Sequence, residues 1–128
     1  MLHGDIGLSH LVPVPLMGEG VVRLLSILLA VASAQQGVVL IDEIETGFHH
    51  LLLSRVWRAV AEAARAAEAQ LLATTHSWEC VRAAHDGLDQ KAEEFRLHRL
   101  ERTDDRIRAV TYEDDAFDAA VAAEMEVR

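Results

Sequence analysis

Residues 38 to 43 read Val-Val-Leu-Ile-Asp-Glu, and Thr74-Thr75-His76-Ser77 follows after a helix-length gap. Four apolar residues without polar alternation suit a strand buried on both faces of a parallel sheet, and such a strand ends at the edge where α/β sheets bind ligands. At that edge Asp42 has the chemistry to serve Mg²⁺ directly or through water. Glu43 has the chemistry to orient and deprotonate a water that attacks a phosphoryl group. The imidazole of His76, at the end of a neighbouring strand, can hydrogen-bond a phosphate. Upstream, Gly18-Glu19-Gly20 opens a helix, and amides at a helix N-terminus bind phosphate where glycine lets the backbone approach closely. Each feature has a plainer alternative: acids also end strands for solvation, a histidine can be structural, and glycines can simply cap a buried helix.

The elements that must position these groups are legible from periodicity. Residues 20 to 34 are good helix formers, apolar on nearly every side, which predicts a helix buried against the sheet. Gln35, Gln36 and Gly37 break it, a strand over 38 to 42 follows, and Thr46-Gly47 marks a loop. Leu52, Val56, Val60 and Ala64 recur at helical spacing within a helix over 50 to 67. A strand over 70 to 75 leads to a short helix over 78 to 84, capped by Ser77 with Glu79 in its first turn. Phe95 to Leu100 and Ile107 to Val110 alternate like a half-exposed hairpin turning at 103 to 105, and residues 112 to 127 read as an acidic helix. The prolines of His10 to Pro15 place that segment at a sheet edge. No linker, repeat or low-complexity tract divides the chain, so residues 1 to 128 are read as one domain.

Composition narrows the classes of function. The formal net charge is −9, from 12 Lys and Arg against 21 Asp and Glu, which gives no support to a broad nucleic-acid footprint, although nucleic acid remains open as a partner of a larger assembly. One cysteine, Cys80, precludes an internal disulfide and fits a reducing cytoplasm, as a half-buried helix residue rather than a reactive thiol. His49 and His50 are adjacent rather than spaced like zinc ligands. Trp57 and Trp78 are assigned to the core or its rim. Residues 24 to 34, LLSILLAVASA, end like a leader peptide, but Asp5 and Glu19 precede them, and the stretch falls short of the about 20 residues that span a bilayer. No membrane association is expected.

Gly18-Glu19-Gly20-x-x-Arg23, Val38 to Glu43, Glu45-Thr46-Gly47-Phe48-His49 and Thr74 to Ser77 stand in the order and approximate spacing of four ABC-type ATPase motifs. The set resembles the OLD/RecF-like branch, of AAA15 or AAA21 type, over essentially the whole chain. The resemblance implies an α/β fold: the mainly parallel buried sheet with flanking helices of a P-loop NTPase, here an ABC-type C-terminal lobe followed by a hairpin and helix. It makes Gly18, Glu19 and Gly20 the signature loop that contacts ATP on an opposite subunit, Asp42 the Walker B ligand of Mg²⁺, Glu43 the water-activating group and His76 the switch histidine. Glu45 to His49 becomes the loop that crosses a dimer interface. Leu16 and Met17 stand where many such proteins carry the signature serine, so that hydroxyl contact is missing. The chain contains no Gly-x-x-x-x-Gly-Lys-Ser/Thr, and its one lysine is Lys91, preceded by Gln90. The implied activity is therefore ATP hydrolysis in a composite site holding ATP and Mg²⁺, with a P-loop from a further lobe or subunit and a homo- or heterodimer as the working unit. The alternative is a nucleotide-incompetent interaction module descended from such an ATPase. A fused nuclease, found in some relatives, would need a separate acid-rich domain, and no nuclease site is assigned. Without its upstream lobe the sheet should present an uncovered apolar face.

Overall fold

The computed structural model describes residues 1–88, 95–103, 106–112, 119 and 121. Two short strands, β1 (His3–Gly4) and β2 (Val12–Pro13), pair antiparallel, and a single 3₁₀ turn over Val14–Leu16 leads into α1 (Glu19–Ser33). The chain then forms β3 (Val38–Ile41), a 3₁₀ turn (His50–Leu52), α2 (Leu53–Ala66), β4 (Gln70–Ala73) and α3 (Trp78–Gly87). The hairpin of β5 (Leu97–Thr103) and β6 (Arg106–Tyr112) follows. The expected C-terminal helix and the turn residues 104 and 105 fall on residues outside those described, apart from isolated positions.

The strand-helix-strand unit β3-α2-β4 is the centre of the molecule. Its strands pair in parallel, Val38 opposite Gln70 through Ile41 opposite Ala73. Ladder bonds extend the pairing past the last strand residue: Thr74 N–H donates to the Ile41 carbonyl (2.9 Å), and Ile44 N–H to the Thr74 carbonyl (3.1 Å). Parallel neighbours need a crossover, and α2 provides it. Its buried residues Leu53, Val56, Trp57, Val60 and Ala64 form one stripe that packs against α1 and α3. The expected stripe began at Leu52; the 3₁₀ turn ahead of α2 advances the chain at a tighter pitch, which leaves Leu52 exposed and turns Leu53 inward.

The sheet is smaller and more open than the sequence suggested. Among the described residues its parallel part has two strands, and the other two strand pairs are antiparallel. Nor is β3 buried on both faces. Val39 and Ile41 join the core, whereas Val38 (56% exposed), Leu40 (75%) and, from β4, Leu72 (49%) face outward. The register sets Leu40 directly beside Leu72, so these residues make one apolar surface. Alternation along a strand accounts for this: the helices cover one face, and no described element covers the other. Helix α1 departs from expectation in the same way, burying Ile27 and Val31 and exposing Val21, Val22 and Leu29.

Helix α3 begins as predicted but runs three residues longer. The Ser77 hydroxyl accepts from Cys80 N–H (3.2 Å) and donates to the Glu79 carboxylate (2.9 Å). Glu79's own backbone N–H and that hydroxyl hold its carboxyl below the usual range. Cys80 is fully buried rather than half-buried, and burial pushes its thiol pKa up. A thiol that keeps its proton in the fold and loses it when unfolded makes a contribution to stability that is complete below the unfolded value of about 8.5 and is lost as pH rises through the folded value. Labelling of Cys80 by a thiol reagent at pH 8 is therefore expected to follow the rate of global opening and to become immediate in denaturant. Immediate labelling of the native chain would contradict the placement.

Candidate functional site

The positions singled out by sequence converge at the carboxyl end of β3 and β4. Asp42 and Glu43 leave β3 exposed to solvent, and Thr74, Thr75 and His76 leave β4 beside them. The chain turns sharply here, since Glu43 has φ +46°, a left-handed conformation that non-glycine residues adopt at a cost of about 1–3 kcal/mol unless neighbours hold it. Those neighbours are visible. Glu43 N–H donates to the Thr74 hydroxyl (2.9 Å), and that hydroxyl donates to Asp42 Oδ1 (2.6 Å). From α1, Arg23 Nη2 donates to the carbonyls of Asp42 (3.0 Å) and Glu43 (3.3 Å). Thr46 Oγ1 reaches Glu43 Oε2 at 3.3 Å, and Thr46 N–H closes a turn onto the Glu43 carbonyl.

The loop after Glu43 ties the two strand ends together. Glu45 Oε1 accepts from the backbone N–H of His76 (3.0 Å), which fixes where the His76 side chain starts. The His76 side chain is exposed. The other oxygen of Glu45 and the Nε of Arg23 are buried with no hydrogen-bond partner, so this junction keeps unused polar capacity.

Gly18, Glu19 and Gly20 approach from the start of α1. Gly18 has φ +103° and ψ 155°, a region open essentially to glycine alone, and serves as the N-cap without a side-chain bond. Gly20 is packed against the Glu45–His49 loop: a Cβ there would come within 2.9 Å of the Gly47 carbonyl oxygen. Glu19 lies beside Gly47 and supplies a carboxylate to the first helical turn. His49, by contrast, is occupied with its own turn, its Nδ1 accepting from Leu51 N–H at 3.4 Å, and its ring rests against that of His50.

The structure thus joins Asp42 and Glu43 through the Thr74 hydroxyl, ties the His76 backbone to Glu45, and sets Glu19 and Gly20 against the loop that follows Glu43. Thr74 and Arg23 both stand within the sequence motifs, but the contacts they make there were not legible from them. The Thr-Thr-His run was the available signal for Thr74. Arg23 binds carbonyls rather than a carboxylate, a contact that residue charges do not reveal.

Among the described residues no group of three or more His, Cys, Asp or Glu is placed to hold a metal ion. A lone pair of exposed acids suits Mg²⁺, which commonly binds through one or two carboxylates plus substrate phosphates and keeps several waters. No helix of the described residues is long and apolar enough to cross a membrane.

An α/β unit with acids and a histidine at the ends of adjacent parallel strands is consistent with a P-loop NTPase-like fold, the class to which AAA-type ATPases belong. Residues 3–82 match the family model described as AAA domain, putative AbiEii toxin, Type IV TA system, and the chain belongs to that family. The match runs from β1 into the first half of α3 and leaves the hairpin outside, a narrower span than the whole-chain resemblance seen in the motifs. Comparison with curated proteins and with solved structures found no match.

Proposed function

We propose that this chain supplies the Walker B, signature-loop and switch-histidine part of an ATP-hydrolysing site of the ABC-type, OLD/RecF-like kind, with the P-loop contributed by a further lobe or subunit. The observation that carries the reading is the meeting of two hydrogen-bonded links at the carboxyl ends of two parallel strands, Asp42 and Glu43 through Thr74 and the His76 backbone through Glu45. In this reading Glu43 orients the attacking water and accepts its proton, and His76 hydrogen-bonds the γ-phosphate. Asp42 engages Thr74 through one oxygen and keeps its second for the cation. Mg²⁺, when bound, supplies neutralisation of charge on the transferred phosphoryl group. Gly18 and Gly20 present the start of α1 to ATP held by a partner, with Glu19 at the same turn.

The apolar surface of Val38, Leu40 and Leu72 supports a chain that works in company, because a patch of this kind marks a contact surface. The same surface also favours the second reading, an interaction module that no longer handles nucleotide. Calorimetry separates the two. A P-loop supplies much of the phosphate contact in these enzymes, so the isolated chain is expected to bind ATP no tighter than about 1 mM. Joined to its P-loop lobe it should bind Mg·ATP, with the Mg²⁺-dependent part weakened by Asp42→Ala. Micromolar binding by the isolated chain, abolished by Asp42→Ala, contradicts dependence on a P-loop. No binding in the joined form leaves the interaction module.

A further inference from the structure

Glu43 carries the water-activating role in the proposed site, yet its backbone sits at φ +46°, where a glutamate does not rest by preference. Something must hold it. One hydroxyl links the Asp42 carboxylate to the Glu43 amide: the Thr74 hydroxyl accepts from Glu43 N–H at 2.9 Å and donates to Asp42 Oδ1 at 2.6 Å. A hydroxyl has one proton to give and lone pairs to receive, and this arrangement uses both capacities. The backbone of the same residue completes the grip, Thr74 N–H donating to the Ile41 carbonyl before the acids and its carbonyl accepting from Ile44 N–H after them. Arg23 holds the carbonyls of Asp42 and Glu43 as the second support.

We propose that Thr74 is a positioning residue for phosphoryl transfer, its hydroxyl fixing the Asp42 carboxylate and the left-handed Glu43 peptide in one rigid unit. This rests on the reading of Glu43 as the water-activating group. The hydroxyl sets which oxygen of Asp42 faces the cation and the direction in which Glu43 leaves the chain. A serine preserves both bonds. A valine keeps the shape and the strand preference but leaves Glu43 N–H and Asp42 Oδ1 without that partner.

Two measurements test it. In the full 128-residue chain, Thr74→Val should speed hydrogen exchange of the Glu43 amide by about tenfold, whereas Thr74→Ser should leave it unchanged. The Ile44 amide, which uses the Thr74 carbonyl, should hold its protection in both and so reports that the strand end is still folded. In the chain joined to its P-loop lobe, Thr74→Val should lower kcat for ATP by about 10–100-fold with KM within about twofold, and Thr74→Ser should restore it. An unchanged Glu43 amide, or an unchanged kcat where Glu43→Gln abolishes turnover, overturns the role of Thr74 and leaves the ATPase reading standing. Full turnover by Glu43→Gln overturns both. Equal loss of kcat in the valine and serine variants also overturns it, because only the hydroxyl is claimed.

Discussion

Glu43→Gln, made in the chain joined to its P-loop lobe, should lower steady-state ATP turnover by about 10²–10⁴-fold, the range a positioned general base contributes. Glutamine keeps the size of the side chain and a carbonyl oxygen able to accept from Thr46 Oγ1, now 3.3 Å from Glu43 Oε2. It removes the capacity to take a proton from water. The backbone contacts to Thr74 and Arg23 do not involve the side chain, so folding and nucleotide affinity should be preserved and the loss should fall on kcat. A variant that binds Mg·ATP and hydrolyses it at the wild-type rate would remove Glu43 from the chemistry. Loss of affinity with kcat intact would make it a binding residue instead.

Trp57→Ala should destabilise the chain by about 3–5 kcal/mol, read as a lowered midpoint in chemical denaturation. Trp57 is buried in the second turn of α2, donates its indole N–H to the Cys80 carbonyl of α3 at 3.1 Å, and meets the Phe95 ring edge-on at 6.5 Å. Truncation opens a cavity, removes the indole's hydrogen bond between α2 and α3, and removes an aromatic contact together. Against a total of about 5–15 kcal/mol for a typical domain, that leaves little margin. Trp57→Phe should recover much of the packing but not the hydrogen bond. A midpoint unmoved by the alanine variant would mean that α2 and α3 are not held as described.

What could be read in the residues was local. The apolar run ending at Asp42 announced a strand with acids at its tip, and Ser77 announced a helix start, because each depends on neighbours in sequence. The convergence of Asp42, Glu43 and His76 was legible through motif order and the parallel crossover. The left-handed turn at Glu43 was not, since nothing in the residue type signals it and it is held by Thr74 and Arg23 from two other elements. Burial was misjudged for a related reason. Val38, Leu40 and Leu72 are as apolar as the core, but whether a strand face is covered depends on elements packed across it. The coverage of the sheet therefore escaped a pattern-based reading, which could place its candidate residues only at the ends of strands.

The most direct test of the central claim is Mg²⁺-dependent ATP turnover at a fixed concentration of this chain, measured against increasing P-loop lobe or subunit. A composite site predicts no turnover by either component alone and a saturable rise on mixing, lost when the chain carries Glu43→Gln. Turnover by this chain without the lobe, or none at any ratio of two components shown to associate, would contradict it.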